Sequence, residues 1–341
     1  MPGRSVRKKE QRLVPEGLLL FRDNILSKGN IFGATSKARW AKGLELPAQG
    51  ETIFFAGCGY QFLGEAEAIL AAVRALDKRN LPWERTLGVT QFLNKRGINL
   101  GDLYGKITRR FRRAENPLLS AVEVLQGMDI DLGYLAEEEP CCAAPLYYAG
   151  FREEFAAQAE KTQALFKEKG ITKLIGMVPS CTFALRSLFP RGSKGRQVEV
   201  SHFLEIVWEK IKKGKRFRLP REVIVTYHDP CILSRYLSLT EEPRQILRSI
   251  EGVVFADVER NKEEWSTCCG GGGGFEVIYP EISHTIAANR VEELLKTGAS
   301  TIVTSCPGCL IQLREGVKKL KAREVEVMDM AQLLRSALPE G

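Results

Sequence analysis

Nine cysteines stand in this 341-residue chain, and they fall into two sets of the same order. The second set reads Cys231, Cys268-Cys269, Cys306 and Cys309, with 36 residues in each long gap and a Cys-Pro-Gly-Cys knuckle at the end. The first reads Cys58, Cys141-Cys142 and Cys181, with gaps of 82 and 38 residues. This is an internal duplication in which one copy lacks a thiol, since "SCTFA" carries Ala184 where a second knuckle cysteine would fall. Thiolates are ligands for soft metals and the reacting groups of disulfide exchange. An odd total argues against a simple disulfide framework, and a reducing compartment makes metal or redox chemistry the expected use.

Adjacent cysteines can face one centre only where the backbone is irregular. "STCCGGGGGF", Ser266 to Phe275, supplies that irregularity: glycines admit positive φ and let main-chain N–H groups approach sulfur. A phosphate cradle is the rival account, but the run satisfies neither glycine fingerprint for phosphate and follows polar "NKEEWST" instead of a strand. Structural zinc usually takes two short knuckles, and only one is present. A thioredoxin-like dithiol needs no further cysteine pair. Five thiols exceed by one what an ordinary cubane cluster requires, which leaves an unusual cluster or an open sulfur site.

The elements that must hold these thiols are legible as strands followed by helices. "ETIFFAGC", "KLIGMVPSC", "EVIVTYHDPC" and "STIVTSCPGC" are short apolar runs that each end at a cysteine, the pattern of buried parallel strands. "EAEAILAAVRALDK", "FREEFAAQAEKTQALFKEKG" and "HTIAANRVEELLKTG" read as amphipathic helices. The expected fold is α/β: two pseudo-repeated domains, each a small, mainly parallel sheet flanked by helices with cysteine loops at the strand C-termini. The expected boundaries are a basic arm and lead-in over 1–50, a first domain over 51–215 with an insertion at 77–135, and a second over 216–341.

The quoted motifs, "FFAGC…PCC…SC" and "YHDPC…TCCGGGG…SCPGC", resemble the duplicated cysteine-rich (CCG) domains found in the B and D subunits of heterodisulfide reductases. "GNIFGATSKARW" is similar to a segment upstream of the first motif in D-type relatives. The resemblance implies a non-cubane [4Fe-4S] cluster on Cys231, Cys268, Cys269, Cys306 and Cys309, with disulfide or thiol redox chemistry there. It implies a relay cluster, an ordinary [4Fe-4S] or less readily zinc, on Cys58, Cys141, Cys142 and Cys181. The long insertion and Ala184 set the first site apart from disulfide cleavage but not from relay. It further implies a ferredoxin-type iron–sulfur partner of the C type and a flavin-containing subunit. The competing class is a pure electron-transfer subunit between a flavoprotein dehydrogenase and a quinone or other carrier.

Other features carry less. A net charge of +8 is concentrated in Arg4–Arg12, Lys106–Arg113 and Lys210–Arg221, none of them a nucleic-acid motif, so no nucleic acid is expected. The basic 77–135 insertion, with its "RRFRR" run, is the candidate docking surface, a solvated helical face being the alternative reading. No apolar run reaches membrane-spanning length and no secretory leader is evident, so the expected place is the cytoplasm, with association to a membrane complex left open. His228 is read as bonding backbone in preference to donating a proton; Asp229 and Pro230 are read as turn chemistry. Trp265 is read as shielding the cluster or packing, and His202 and His284 receive no role.

Overall fold

The computed structural model describes residues 14–77, 116–189 and 198–339. Basic residues at 4–12 and the "RRFRR" run at 109–113 lie outside the described residues. Among the described residues seven strands form two sheets, and every pairing between these strands is parallel. β1 (Thr52–Phe55), β2 (Lys173–Gly176) and β3 (Glu199–His202) lie in the order β1-β2-β3. β4 (Phe217–Tyr227), β5 (Ile250–Phe255), β6 (Thr301–Thr304) and β7 (Glu326–Asp329) lie in the order β5-β4-β6-β7. The expected α/β architecture is therefore present: small parallel sheets with helices between successive strands. All four residues of β6 and the last three of β1 are buried, as parallel strands covered on both faces must be.

Strand register aligns the two sheets without reference to cysteine spacing. Gly176 pairs with His202 in the first sheet, and Thr304 pairs with Asp329 in the second. With β5 set aside, which has no counterpart in the first sheet among the described residues, the third strand of each repeat, β3 or β7, runs into a helix, Phe203–Lys212 or Met330–Ser336, that opens with a capping box. Glu205 accepts from the His202 N–H at 2.7 Å, and Gln332 accepts from the Asp329 N–H at 2.9 Å. These third strands escaped the sequence reading although "VEVSHFLEIV" and "VEVMDMAQLL" repeat the same start. Four-residue strands flanked by charge give too little periodicity to stand out.

The repeats share one apolar core that joins Phe54 and Ile175 of the first sheet to Val225 and Val303 of the second. A smaller cluster, including Val291, Ile302, Leu310 and Leu313, holds the helices Pro280–Leu295 and Pro307–Leu320 against the second sheet. The helix Pro117–Gln126 corrects the reading of the whole insertion as a basic docking surface. Leu118, Ala121, Val122, Val124 and Leu125 are fully buried, and the helix packs on Met330–Ser336 of the other repeat.

The repeats meet through their cysteine-bearing helices. Cys58–Gln61 lies against Pro307–Leu320, and Pro179–Phe183 lies against Cys231–Arg235, a pseudo-twofold exchange. Gly59 is needed at this contact, because a Cβ there would sit 2.7 Å from Pro307 Cγ. The Tyr60 hydroxyl donates to the Asp329 carboxylate, and Phe183 packs against Tyr236 with ring centroids 5.0 Å apart and the rings tilted by 53°. Among the described residues no helix is long and apolar enough to cross a membrane.

Candidate metal centres

Strand ends deliver the first thiols. β1 runs through Gly57, at φ +69°, into the helix that begins at Cys58; β2 runs into Pro179–Phe183, which carries Cys181. The loop bearing Cys141 and Cys142 completes the set. Cys142 Sγ lies 3.0 Å from Cys181 Sγ, and Cys141 is hydrogen-bonded to both Cys142 and Cys58. All four thiols predicted for the first site thus meet. The hydrogen bond to Cys141, followed by burial, pushes the Cys58 thiol up. A hydrogen bond from Cys142 favours the Cys181 thiolate, yet burial and the neighbouring sulfurs still hold Cys181 up to about 11. Buried thiols this close can be ionised together only against a compensating cation.

A carboxylate shapes this site. Glu139 is buried and accepts from the N–H groups of Ala56 at 2.8 Å and Gly57 at 2.9 Å, and from Gln61 Nε2 at 2.7 Å. Burial pushes its carboxyl up to about 7, against those hydrogen bonds. Lys37 donates to the Glu139 carbonyl at 2.5 Å, and Gly29 and Lys37 line the site, which brings the "GNIFGATSKARW" segment to the thiols. Glu139, Lys37 and Gln61 were not singled out from sequence. The run Glu137–Glu139 offers three acids, and only the fold separates the buried one.

The sheet register relocates the missing thiol. With Gly176 matched to Thr304, "GMVPSC" lies on "TSCPGC": Val178 takes the place of Cys306 and Cys181 that of Cys309. Val178 and Cys306 each precede a helix-opening proline at the N-cap. Ala184, the position the spacing pointed to, matches Gln312 instead. A Cβ on Gly57 would fall 2.7 Å from Val178 Cγ2 and 3.0 Å from Cys181 Sγ, so the valine methyl lies against the thiols.

The second site is assembled the same way from β4, β6 and the Cys-Cys loop. Cys269 is hydrogen-bonded to Cys268 and Cys309, and Cys309 also to Cys306. Burial, then the charges of Cys306 and Cys269, raises Cys231 to about 11. All five predicted thiols are therefore together. Cys269 and Cys309 are buried, Cys231 and Cys306 half-buried, and Cys268 exposed. Trp265, 77% exposed, neither packs nor shields, which corrects both readings of it.

The backbone after each Cys-Cys pair is left-handed in both repeats. The Gly270 N–H donates to Cys268 Sγ at 3.3 Å from φ +89°, and the Ala143 N–H donates to Cys141 Sγ at 3.4 Å from φ +55°. Such a residue turns its N–H back onto the first sulfur of the pair. Gly270 cannot carry a side chain, since a Cβ would lie 2.4 Å from the Ser283 carbonyl oxygen.

Two buried arginines hold the second site's loops. Arg244 grips Asp229 with two bonds, at 2.7 and 2.9 Å, and reaches Asp257 at 2.9 Å; Asp229 also accepts from the Glu263 N–H at 2.9 Å. Asp229 is thus more than turn chemistry. Arg290 donates to His228 Nδ1 at 3.1 Å, to the Asn261 carbonyl at 3.0 Å and to Glu293 at 2.6 Å. The His228 side chain faces the thiols instead of bonding backbone: its nitrogen and the sulfurs of Cys269 and Cys309 lie within 4.8 Å of one another.

This chain is similar to known proteins. The family model of the cysteine-rich domain, CCG, matches residues 107–186 and 225–314. The D subunit of a dihydromethanophenazine:CoB–CoM heterodisulfide reductase from Methanosarcina acetivorans is 34% identical over 221 residues, 63% of this chain and 53% of that one. An EtfAB:quinone oxidoreductase from Syntrophomonas wolfei is 31% identical over 242 residues, 67% of this chain and 32% of that one. The B subunit of a fumarate reductase (CoM/CoB) from Methanothermobacter marburgensis is 29% identical over 212 residues, 62% and 40% respectively. The chain spans about half the length, or less, of these relatives. Duplicated strand–cysteine units, two thiol clusters and the matches over both repeats place this chain in the cysteine-rich CCG domain family, with the domain present twice.

Proposed function

We propose that this chain is the iron–sulfur subunit of a heterodisulfide reductase-like complex, with sulfur redox chemistry at the five-cysteine site and electron relay at the four-cysteine site. The observation that carries the reading is the contrast between the two sites. Five thiols with Cys268 exposed make a centre a sulfur compound can reach. Four thiols closed by Val178, with Cys141, Cys142 and Cys181 all buried, make one that exchanges electrons only.

The donor sets fit iron–sulfur clusters. Soft thiolates select such centres, and Glu139, the carboxylate beside the first group of sulfurs, is taken up by the N–H groups of Ala56, Gly57 and Gln61. Cys231, Cys268, Cys269, Cys306 and Cys309 would hold a non-cubane [4Fe-4S] cluster, and Cys58, Cys141, Cys142 and Cys181 an ordinary one. Bound there, the clusters would supply electrons singly, two being needed per disulfide. The chain's own residues set the geometry. Gly270 and Ala143 turn an N–H onto a sulfur, Arg244 and Glu139 fix the loops after β4 and β1, and Val178 denies the first site a fifth thiol. Four thiolates also satisfy tetrahedral zinc, which metal analysis of the first site decides. A ferredoxin-type iron–sulfur subunit and a flavin-containing subunit are the partners this reading calls for.

A relative named as an EtfAB:quinone oxidoreductase favours the second reading, pure transfer between a flavoprotein and a quinone. Anaerobic protein should contain about eight irons per chain on the proposed assignment. Low-temperature EPR with added thiols separates the two. A second-site signal perturbed by thiol supports sulfur chemistry, and one blind to thiols supports transfer. Absence of iron and sulfide ends both.

A further inference from the structure

We propose that His228 is a neutral imidazole donating its Nε2–H to the sulfur of Cys269, locked in that tautomer by Arg290, and that this bond raises the reduction potential of the five-cysteine site above that of the four-cysteine site. The tautomer follows from the inventory of donors. A guanidinium carries N–H groups only and stays charged, so the Nδ1 that receives Arg290 Nε at 3.1 Å must offer a lone pair. The ring's single proton then sits on Nε2. Arg290 is fully buried and cannot turn away: Asn261, Glu293 and Ser266 take three of its four remaining N–H groups, and Glu293 balances its charge.

The protonated nitrogen has one kind of acceptor. His228 is 1% exposed, and its Nε2 meets no nitrogen, oxygen or sulfur at ordinary hydrogen-bond geometry, although the ring favours the Cys269 thiolate beside it. The lone pairs offered to it belong to the sulfurs of Cys269 and Cys309, all within 4.8 Å. The same arrangement excludes His228 as a metal ligand. A ligating imidazole donates its outer N–H to a carboxylate or carbonyl, whereas here the outer nitrogen accepts from a cation. It also excludes the imidazolium, since a second ring proton would point at the guanidinium. His228 is therefore a fixed hydrogen-bond donor and positioning residue, not a proton source.

The first repeat lacks this donor. Three residues before Cys231 stands His228; three before Cys58 stands Phe55, paired to Gly176 as His228 neighbours Thr304, and Phe55 lines the first site. Hydrogen bonds to cluster sulfurs favour the more negative, reduced state and raise the potential. The site with the exposed Cys268 thus becomes the better electron acceptor of the two, which orders them as relay first and reaction second.

The electronic half rests on the iron–sulfur assignment above; the tautomer does not. EPR-monitored redox titration of the full iron-loaded chain should show His228→Phe shifting the second site about tenfold toward oxidised, 59 mV for one electron, with the first site unmoved. His228→Gln, which keeps an N–H, should recover part of the shift. An unchanged potential in His228→Phe, or a variant series in which both sites move together, overturns the proposal. If His228→Phe fails to load, Arg290→Gln serves: it frees the tautomer, and an unmoved potential there counts against the idea. With three histidines in the chain, NMR of the full zinc-loaded, [15N]histidine-labelled protein reads the ring directly. The Nε2–H tautomer at His228 is expected, and an Nδ1–H tautomer or imidazolium refutes it. A chain that takes up no iron would sink the proposed function while this measurement still decided the tautomer.

Discussion

His202 and Asp329 occupy one position in two repeats: each ends a third strand, each caps the following helix, and their titrations run in opposite directions. Burial, then the charge of Arg186, holds His202 down to about 3 from 6.5. Burial pushes Asp329 up to about 6 from 3.8, against the hydrogen bond from Tyr60.

The linkage signs oppose each other. His202 stays neutral in the fold, so its contribution is complete above pH 6.5 and is lost as pH falls toward 3. Asp329 is favoured protonated, so its contribution is complete below pH 3.8 and is lost as pH rises through about 6. Between pH 6 and 4.5 each is worth about 2 kcal/mol, and they offset. Urea unfolding of the reduced chain should show His202→Asn gaining about that much relative stability at pH 4.5, and Asp329→Asn losing it. Parallel curves for both variants and wild type would refute the pairing.

Val178→Cys should restore a fifth thiol to the first site. The loss of about one methyl group's volume keeps the stability change within about 1.5 kcal/mol. Mössbauer and EPR spectra of the iron-loaded variant should then show the first site taking the character of the second. Ala184→Cys, the position chosen from spacing, should leave the first-site spectrum alone; the reverse result would discard the register alignment.

Gly270→Ala places a methyl 2.4 Å from the Ser283 carbonyl oxygen at φ +89°. Strain and overpacking together should cost roughly 2–5 kcal/mol, with loss of second-site metal. The equivalent Ala143→Gly relieves strain at φ +55° while loosening the unfolded chain, so it should fall within about 1 kcal/mol of neutral. Thermal unfolding with metal content per chain checks both.

Arg244→Met strands the Asp229 carboxylate, whose side chain is 1% exposed, and should cost about 3–5 kcal/mol. Asp229→Asn with Arg244→Met should recover much of the loss, because the unpaired charge is gone. Denaturant unfolding of the double variant no more stable than Arg244→Met would argue against a buried-charge penalty.

Residue type and order were enough to announce two thiol sites on parallel strands. Cysteine has few structural uses in such numbers, and four apolar runs each stopped at one. Hydrogen-bond registry decided the rest. Spacing alone made Ala184 the lost ligand, since loops of unequal length slide against each other; strand pairing does not slide, and it chose Val178. Glu139 reaches back to Gly57 across 82 residues of chain, and Arg290 reaches His228 across 62. Such partnerships leave no local pattern because burial, which makes them matter, exists only once the chain has closed on itself.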